Sequence, residues 1–159
     1  MSKARSTLLL TTFLANGGLP AVAQAASNTV TFTGTVTTTC AISIVNGTGT
    51  LAPNGALSNL SSKNPGGTPA VVDITTTGGV RVSLDAVSTA TVPSTDLSST
   101  AWTPTYSMTG AQTIAETGAS TLLTGSGTRT MNVQLTGTKA GADTFMGGAY
   151  AATVTVRCE

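Results

Sequence analysis

Histidine is absent from the 159 residues. That removes Ser-His-Asp triads, Cys-His nucleophile pairs and His-ligated metal centres. Charge is nearly as scarce: Asp, Glu, Lys and Arg make up 8% of the chain. The six carboxylates are scattered, with no spacing that suggests a general acid/base pair, and no basic patch offers itself to nucleic acid or an anionic membrane. The two cysteines, Cys40 and Cys158, lie far apart in the sequence, unlike the Cys-x-x-Cys of a dithiol oxidoreductase. The Gly-rich stretches Gly47-Thr48-Gly49 and Gly125-Ser126-Gly127 lack the Lys-Ser/Thr ending of a phosphate loop. No enzymatic activity and no cofactor are expected.

Long hydrophobic runs are also missing. The longest apolar stretch, around Leu8 to Leu14, is interrupted by Thr11 and Thr12 and is too short to span a bilayer. It follows Lys3 and Arg5 and precedes Ala23-Gln24-Ala25, the layout of a secretory signal peptide with an A-x-A cleavage site. Residues 1–25 are therefore expected to be removed on export, leaving one domain-sized chain from Ala26 to Glu159 with no membrane span. That chain carries five cations (Lys63, Arg81, Arg129, Lys139, Arg157) and six anions (Asp73, Asp85, Asp96, Glu116, Asp143, Glu159), a formal difference of −1.

What is abundant is threonine, serine and glycine. Threonine is β-branched and suits a pleated, half-exposed surface, so a Thr-rich chain with many Gly turns reads as all-β. From Val30 to Ile44 the apolar residues fall at even numbers (Val30, Phe32, Val36, Cys40, Ile42, Ile44), while every odd position from Thr29 to Thr39 is threonine. Period-two alternation of this length means extended chain with one apolar face. Most strands run three to ten residues, so two strands, or one strand with a second role, are expected here.

Asn46 to Pro69 reads as loops around one or two short strands. Val71–Thr76 and Val80–Val87 read as strands joined in a tight hairpin by Thr77-Gly78-Gly79. Trp102, Pro104, Tyr106 and Met108 share the face of a further strand, and Pro104, lacking an N–H, predicts an edge or a bulge there. Met131, Val133 and Leu135 mark another strand, and Tyr150, Ala152, Val154, Val156 and Cys158 a last one. Met108, Met131 and Met146 could be imagined as soft copper(I) ligands, but two of them sit in alternating strand positions, where core filling is the favoured reading. Core packing is favoured likewise for Trp102 and Tyr106 over a sugar site.

These six to eight short strands predict a single antiparallel β-sandwich. Cys40 and Cys158 share parity with the apolar residues of the first and last strands, and two cysteines in an exported chain suggest one disulfide. Parity leaves their separation open.

Two stretches carry a family resemblance. Ser27-Asn28-Thr29-Val30-Thr31-Phe32-Thr33-Gly34-Thr35-Val36-Thr37-Thr38-Thr39-Cys40 resembles the N-terminal extension of chaperone-usher pilins, with apolar residues alternating about a glycine and ending at a cysteine. Thr128 to Leu135 and Gly148-Ala149-Tyr150-Ala151-Ala152-Thr153-Val154-Thr155-Val156 look like the closing strands of spore coat protein U-like and archaic pilin domains.

The resemblance implies an immunoglobulin-like sandwich over residues 40–159 that lacks its final strand. An N-terminal extension, residues 26–39, would fill the groove of the next subunit by β-strand addition. Carried over by position, Val30, Phe32 and Val36 are groove plugs and Gly34 the point of close backbone approach. Burial of three such side chains is worth roughly 5 to 9 kcal/mol before ordering costs. Tyr150, Val154 and Val156 belong to the C-terminal strand. The implied function is a structural subunit of a surface fibre serving adhesion or biofilm formation. The implied partners are copies of itself or related pilins, a periplasmic chaperone and an outer-membrane usher. Pilins commonly pair the first cysteine with one shortly after it, whereas this chain offers only Cys158. The alternative is a self-contained secreted sandwich, a binding or adhesive module whose segment 26–39 folds back into its own groove.

Overall fold

A computed structural model describes residues 27–159; the expected signal peptide and Ala26 lie outside the described residues. The chain divides into a short N-terminal unit, described over residues 27–34, and a main unit, Thr35–Glu159.

The described residues form no helix and twelve strands: β1 (Cys40–Asn46), β2 (Ala52–Pro53), β3 (Asn59–Ser61), β4 (Ala70–Thr76), β5 (Val80–Leu84), β6 (Thr89–Thr91), β7 (Thr100–Gly110), β8 (Ile114–Thr117), β9 (Thr121–Leu123), β10 (Gly127–Lys139), β11 (Ala151–Thr153) and β12 (Val156–Cys158). Every strand pair is antiparallel. β10 is the spine of the largest sheet. Along one edge it pairs first with β4 and then with β3, and along the other with β7 from Arg129 to Lys139. β1 continues the sheet beyond β4, β2 beyond β3 and β8 beyond β7. A second sheet has the order β12-β5-β9, and β11 pairs with β6 alone.

The core lies between the large sheet and the β12-β5-β9 sheet. Val72 and Ile74 from β4, Tyr106 and Met108 from β7 and Met131 from β10 meet Val80 and Val82 from β5 and Leu123 from β9. Each set sits at alternate positions of its strand, because side chains of an extended chain point to opposite faces. Met108 and Met131 are direct cross-strand partners and fully buried, which is the core filling their spacing suggests. Two sheets on one apolar core are consistent with a β-sandwich. Tyr106 joins the layers: its hydroxyl lies 2.6 Å from Thr121 Oγ1 and 2.8 Å from the Ala119 carbonyl.

Several expectations need correction. Gly78 and Gly79 do take positive φ angles, 94° and 74°, but β4 and β5 do not form a hairpin. Both edges of β4 are occupied, by β1 and β10, so the chain leaves the plane at Gly78 and β5 enters the other sheet. The stretches 88–100 and 109–128, which carry no legible alternation, contain β6, β8 and β9, strands of three or four residues that are too short for it. The run from Val30 is strand only from Cys40 onward. The run Tyr150–Cys158 is two strands broken at Val154–Thr155, with Tyr150 ahead of the first, because β11 and β12 pair with different partners. Its alternation persists across the break: Ala152, Val154, Val156 and Cys158 are half-buried and the odd residues exposed. At Pro104, β7 lies beyond the reach of β8, and the β7–β8 ladder is irregular between Tyr106 and Met108.

Candidate functional site

Among the described residues, β1 pairs only with β4 and β12 only with β5, so each is an edge strand. The disulfide Cys40–Cys158 ties these two strands together with Cα atoms 6.3 Å apart. Away from the disulfide, the two edges border an apolar groove of about 610 Å³. Its floor carries Val72 and Ala70 of β4 with Val133 and Leu135 of β10; its walls are Ile42 and Ile44 of β1 and the chain from Tyr150 to Val156. The even-numbered face of β1, which alternation assigns to a core, is here left partly uncovered: Ile44 is 75% exposed. Unpaired edges flanking an uncovered apolar strip are the features that invite another strand to pair.

The disulfide is the one implied by the two cysteines and their parity. The four candidate plug positions lie in the segment preceding β1. Val30, Phe32 and Val36 are 73%, 92% and 83% exposed and belong to no strand, and a Cβ at Gly34 would meet nothing within 4 Å. Closer to β1 the chain is fixed. Thr39 N donates to Thr77 Oγ1 at 2.9 Å, Thr77 N donates to the Thr39 carbonyl at 3.2 Å, and Thr77 Oγ1 donates to the Thr37 carbonyl. Since Cys40 faces Thr76 in the β1–β4 ladder, these bonds prolong the line of β1 beyond the disulfide. Of the candidates in the closing strand, Tyr150, Val154 and Val156 all line the groove.

Alternation does not reveal what holds Tyr150. Its hydroxyl donates a short hydrogen bond to Asp96 Oδ2, and it accepts one from Met146 N at 3.0 Å. Asp96 Oδ1 takes Lys139 Nζ at 2.7 Å, with both side chains almost wholly out of solvent, and accepts the Ser98 hydroxyl at 3.0 Å. Lys139 Nζ also donates to the Ser98 carbonyl and lies 4.9 Å from the centre of the Phe145 ring, which packs edge-on against Tyr150. The Lys139 ammonium, then the Tyr150 phenol, hold the Asp96 carboxyl far below the usual carboxylate range. Burial, reinforced by Asp96, pushes the Tyr150 phenol up. One signal in the sequence could have found this cluster. Lys139 shares the parity of Met131, Val133 and Leu135, so a cation sits on the core face of β10 and must find a partner.

Arg129 stands on the same face and is fully buried; its guanidinium donates to the carbonyls of Gly125 and Gly127 at the turn into β10. The exposed ion pairs are Lys63–Glu116 and Arg157–Asp85. Among the described residues no cluster of three or more Cys, Asp or Glu could hold a metal ion, and no helix is long and apolar enough to cross a membrane. No family model, curated protein or solved structure matches the chain.

Proposed function

We propose that this chain is an exported, non-enzymatic structural subunit of a bacterial surface fibre. It would assemble as chaperone-usher pilins do, each subunit's segment 26–39 completing the sandwich of the next. The observation that carries the reading is the pairing of an uncovered apolar groove with an exposed alternating segment ending at Cys40. The groove takes the place of the missing final strand of an immunoglobulin-like domain. A strand laid in it would extend the ladders of β1 and β12 and bury Ile42 and Ile44 under its own apolar face.

Chain geometry favours exchange between copies over self-completion. Thr37 and Thr39 are held in line with β1 by Thr77, so a reversal would have to occur nearer Gly34. A two-residue turn at Gly34-Thr35 would set Thr29 opposite Cys40, leaving Val30 and Phe32 opposite Thr39 and Thr37. Both side chains would then fall beyond the disulfide, short of the groove. In a neighbouring copy, the same segment can enter the groove at its other end and lie parallel to β1.

The test is an SDS gel, with and without boiling, of the chain from Ala26 and of a version lacking 26–39. A heat-sensitive ladder from the first that is missing in the second is expected. A single monomer band from the first, with the second unfolded, would replace this reading with a self-completed module.

A further inference from the structure

We propose that the Asp96–Lys139–Tyr150 cluster keeps the groove open before any strand arrives, Tyr150 acting as the positioning residue for the wall Ala151–Val156. This rests on the donor-strand reading of the groove. The wall is an unusual structure to leave standing. β11 and β12 have three residues each, pair on one side only and are interrupted at Val154–Thr155. Strands this short and one-sided do not sustain themselves in water. The apolar groove beside them favours collapse, which would bring Val154 and Ala152 down onto Val133 and Leu135.

Beyond its ladders to β6 and β5 and the bonds from Ser88 N to the Thr153 carbonyl and from Asp85 N to the Thr155 carbonyl, two fastenings, one at each end, tie the wall to the large sheet and oppose that collapse. At the far end Cys158 is bonded to Cys40. At the near end the Tyr150 phenol is bonded to Asp96, which is paired with Lys139, the last residue of the spine strand β10. The wall is thereby connected to the large sheet through a buried charge pair rather than through a ladder. The aromatic edge contact from Phe145 fixes the orientation of the Tyr150 ring. Tyr150 also borders a second cavity of about 530 Å³ with Leu51, Leu57, Leu60 and Phe145. A buried hydrogen bond to a charged group is worth more than a neutral one and is lost when the hydroxyl is removed. With the wall already ordered, an incoming strand does not bear the cost of ordering it. Tyr150 therefore acts on strand capture without needing to touch the strand.

The experiment uses the disulfide-bonded full chain and, as probe, a fluorescently labelled synthetic peptide of residues 27–39. Fluorescence anisotropy gives affinity and release rate, and hydrogen exchange reports on the wall segment 151–156. For Tyr150→Phe we expect peptide affinity about tenfold weaker, chiefly through faster release. Faster exchange over 151–156 in the free protein is expected too, with protection regained when peptide binds. Phe145→Leu, which loosens the ring without unpairing the ions, should move both readouts the same way and keeps the test decisive if Tyr150→Phe does not fold. Unchanged affinity and exchange in a folded variant overturns the positioning role. Failure of the wild-type chain to bind the peptide, at a dilution where gels show monomer alone, overturns the donor-strand reading instead, and exchange over 151–156 still decides the clasp.

Discussion

Gly137 on β10 lies under the indole of its cross-strand partner Trp102 on β7: a Cβ at 137 would come within 2.6 Å of the ring. The absence of a side chain lets the single tryptophan lie flat along the end of the large sheet. Gly137→Ala should force the whole ring outward, with an overpacking cost of about 1 to 3 kcal/mol. The intrinsic fluorescence of Trp102 should shift towards the solvent-exposed value, and a urea titration should show the lower midpoint. An unchanged spectrum would mean the ring has another resting place.

Gly34 behaves in the opposite way. A Cβ there would meet nothing within 4 Å. Gly34→Val should leave the thermal midpoint of the monomer within experimental error while reducing the heat-sensitive ladder on gels, because the branched side chain would strike the floor of the receiving groove. Normal assembly by this variant would remove segment 26–39 from the donor role.

Cys40–Cys158 closes a loop spanning 118 positions. Replacing both cysteines by alanine should lower the unfolding free energy by about 2 to 5 kcal/mol, the usual range for a native disulfide in a small exported domain. The drop should appear in urea denaturation of the wild type under reducing conditions as well. Equal stability of oxidised and reduced protein would show that the two groove edges hold without the covalent tie.

Acid should act through three carboxylates, all with depressed pKa: Asp96 by Lys139 and Tyr150, Asp85 by Arg157 and Glu116 by Lys63. A depressed carboxylate contributes stability above its unfolded pKa, near 4, and loses it as the pH falls through the folded value. Stability should therefore be flat between about pH 6 and 8, where no histidine titrates, and decline below about pH 4.5. The exposed pairs should contribute little of this. Asp96, held lowest of the three, should account for the most acidic part of the decline, and Asp96→Asn should remove that part in urea midpoints measured against pH. The Tyr150 phenol is raised, so its contribution is present below its unfolded pKa near 10 and is lost only as the pH rises through the folded value.

Local alternation determined much of this molecule before any partner was known. The half-buried faces of β4, β5, β7 and β10, the even-numbered line from Ala152 to Cys158 and the inward parity of both cysteines follow from a side-chain period of two acting on each strand by itself. Thr77-Gly78-Gly79 was legible as a turn for the same reason, since a positive φ is a property of the residue.

Tertiary structure alone decided which strands became neighbours. β5 left β4 because β4 was already paired on both edges, and Tyr150–Cys158 divided between β6 and β5. It also brought half-buried Tyr150 onto the buried Asp96–Lys139 pair, and it left Ile42 and Ile44 lining an uncovered groove although their parity marks them as core. Periodicity says which way a side chain points and carries no term for what lies opposite, so pairing, burial of charge and an empty strand position are properties of the assembled sheets.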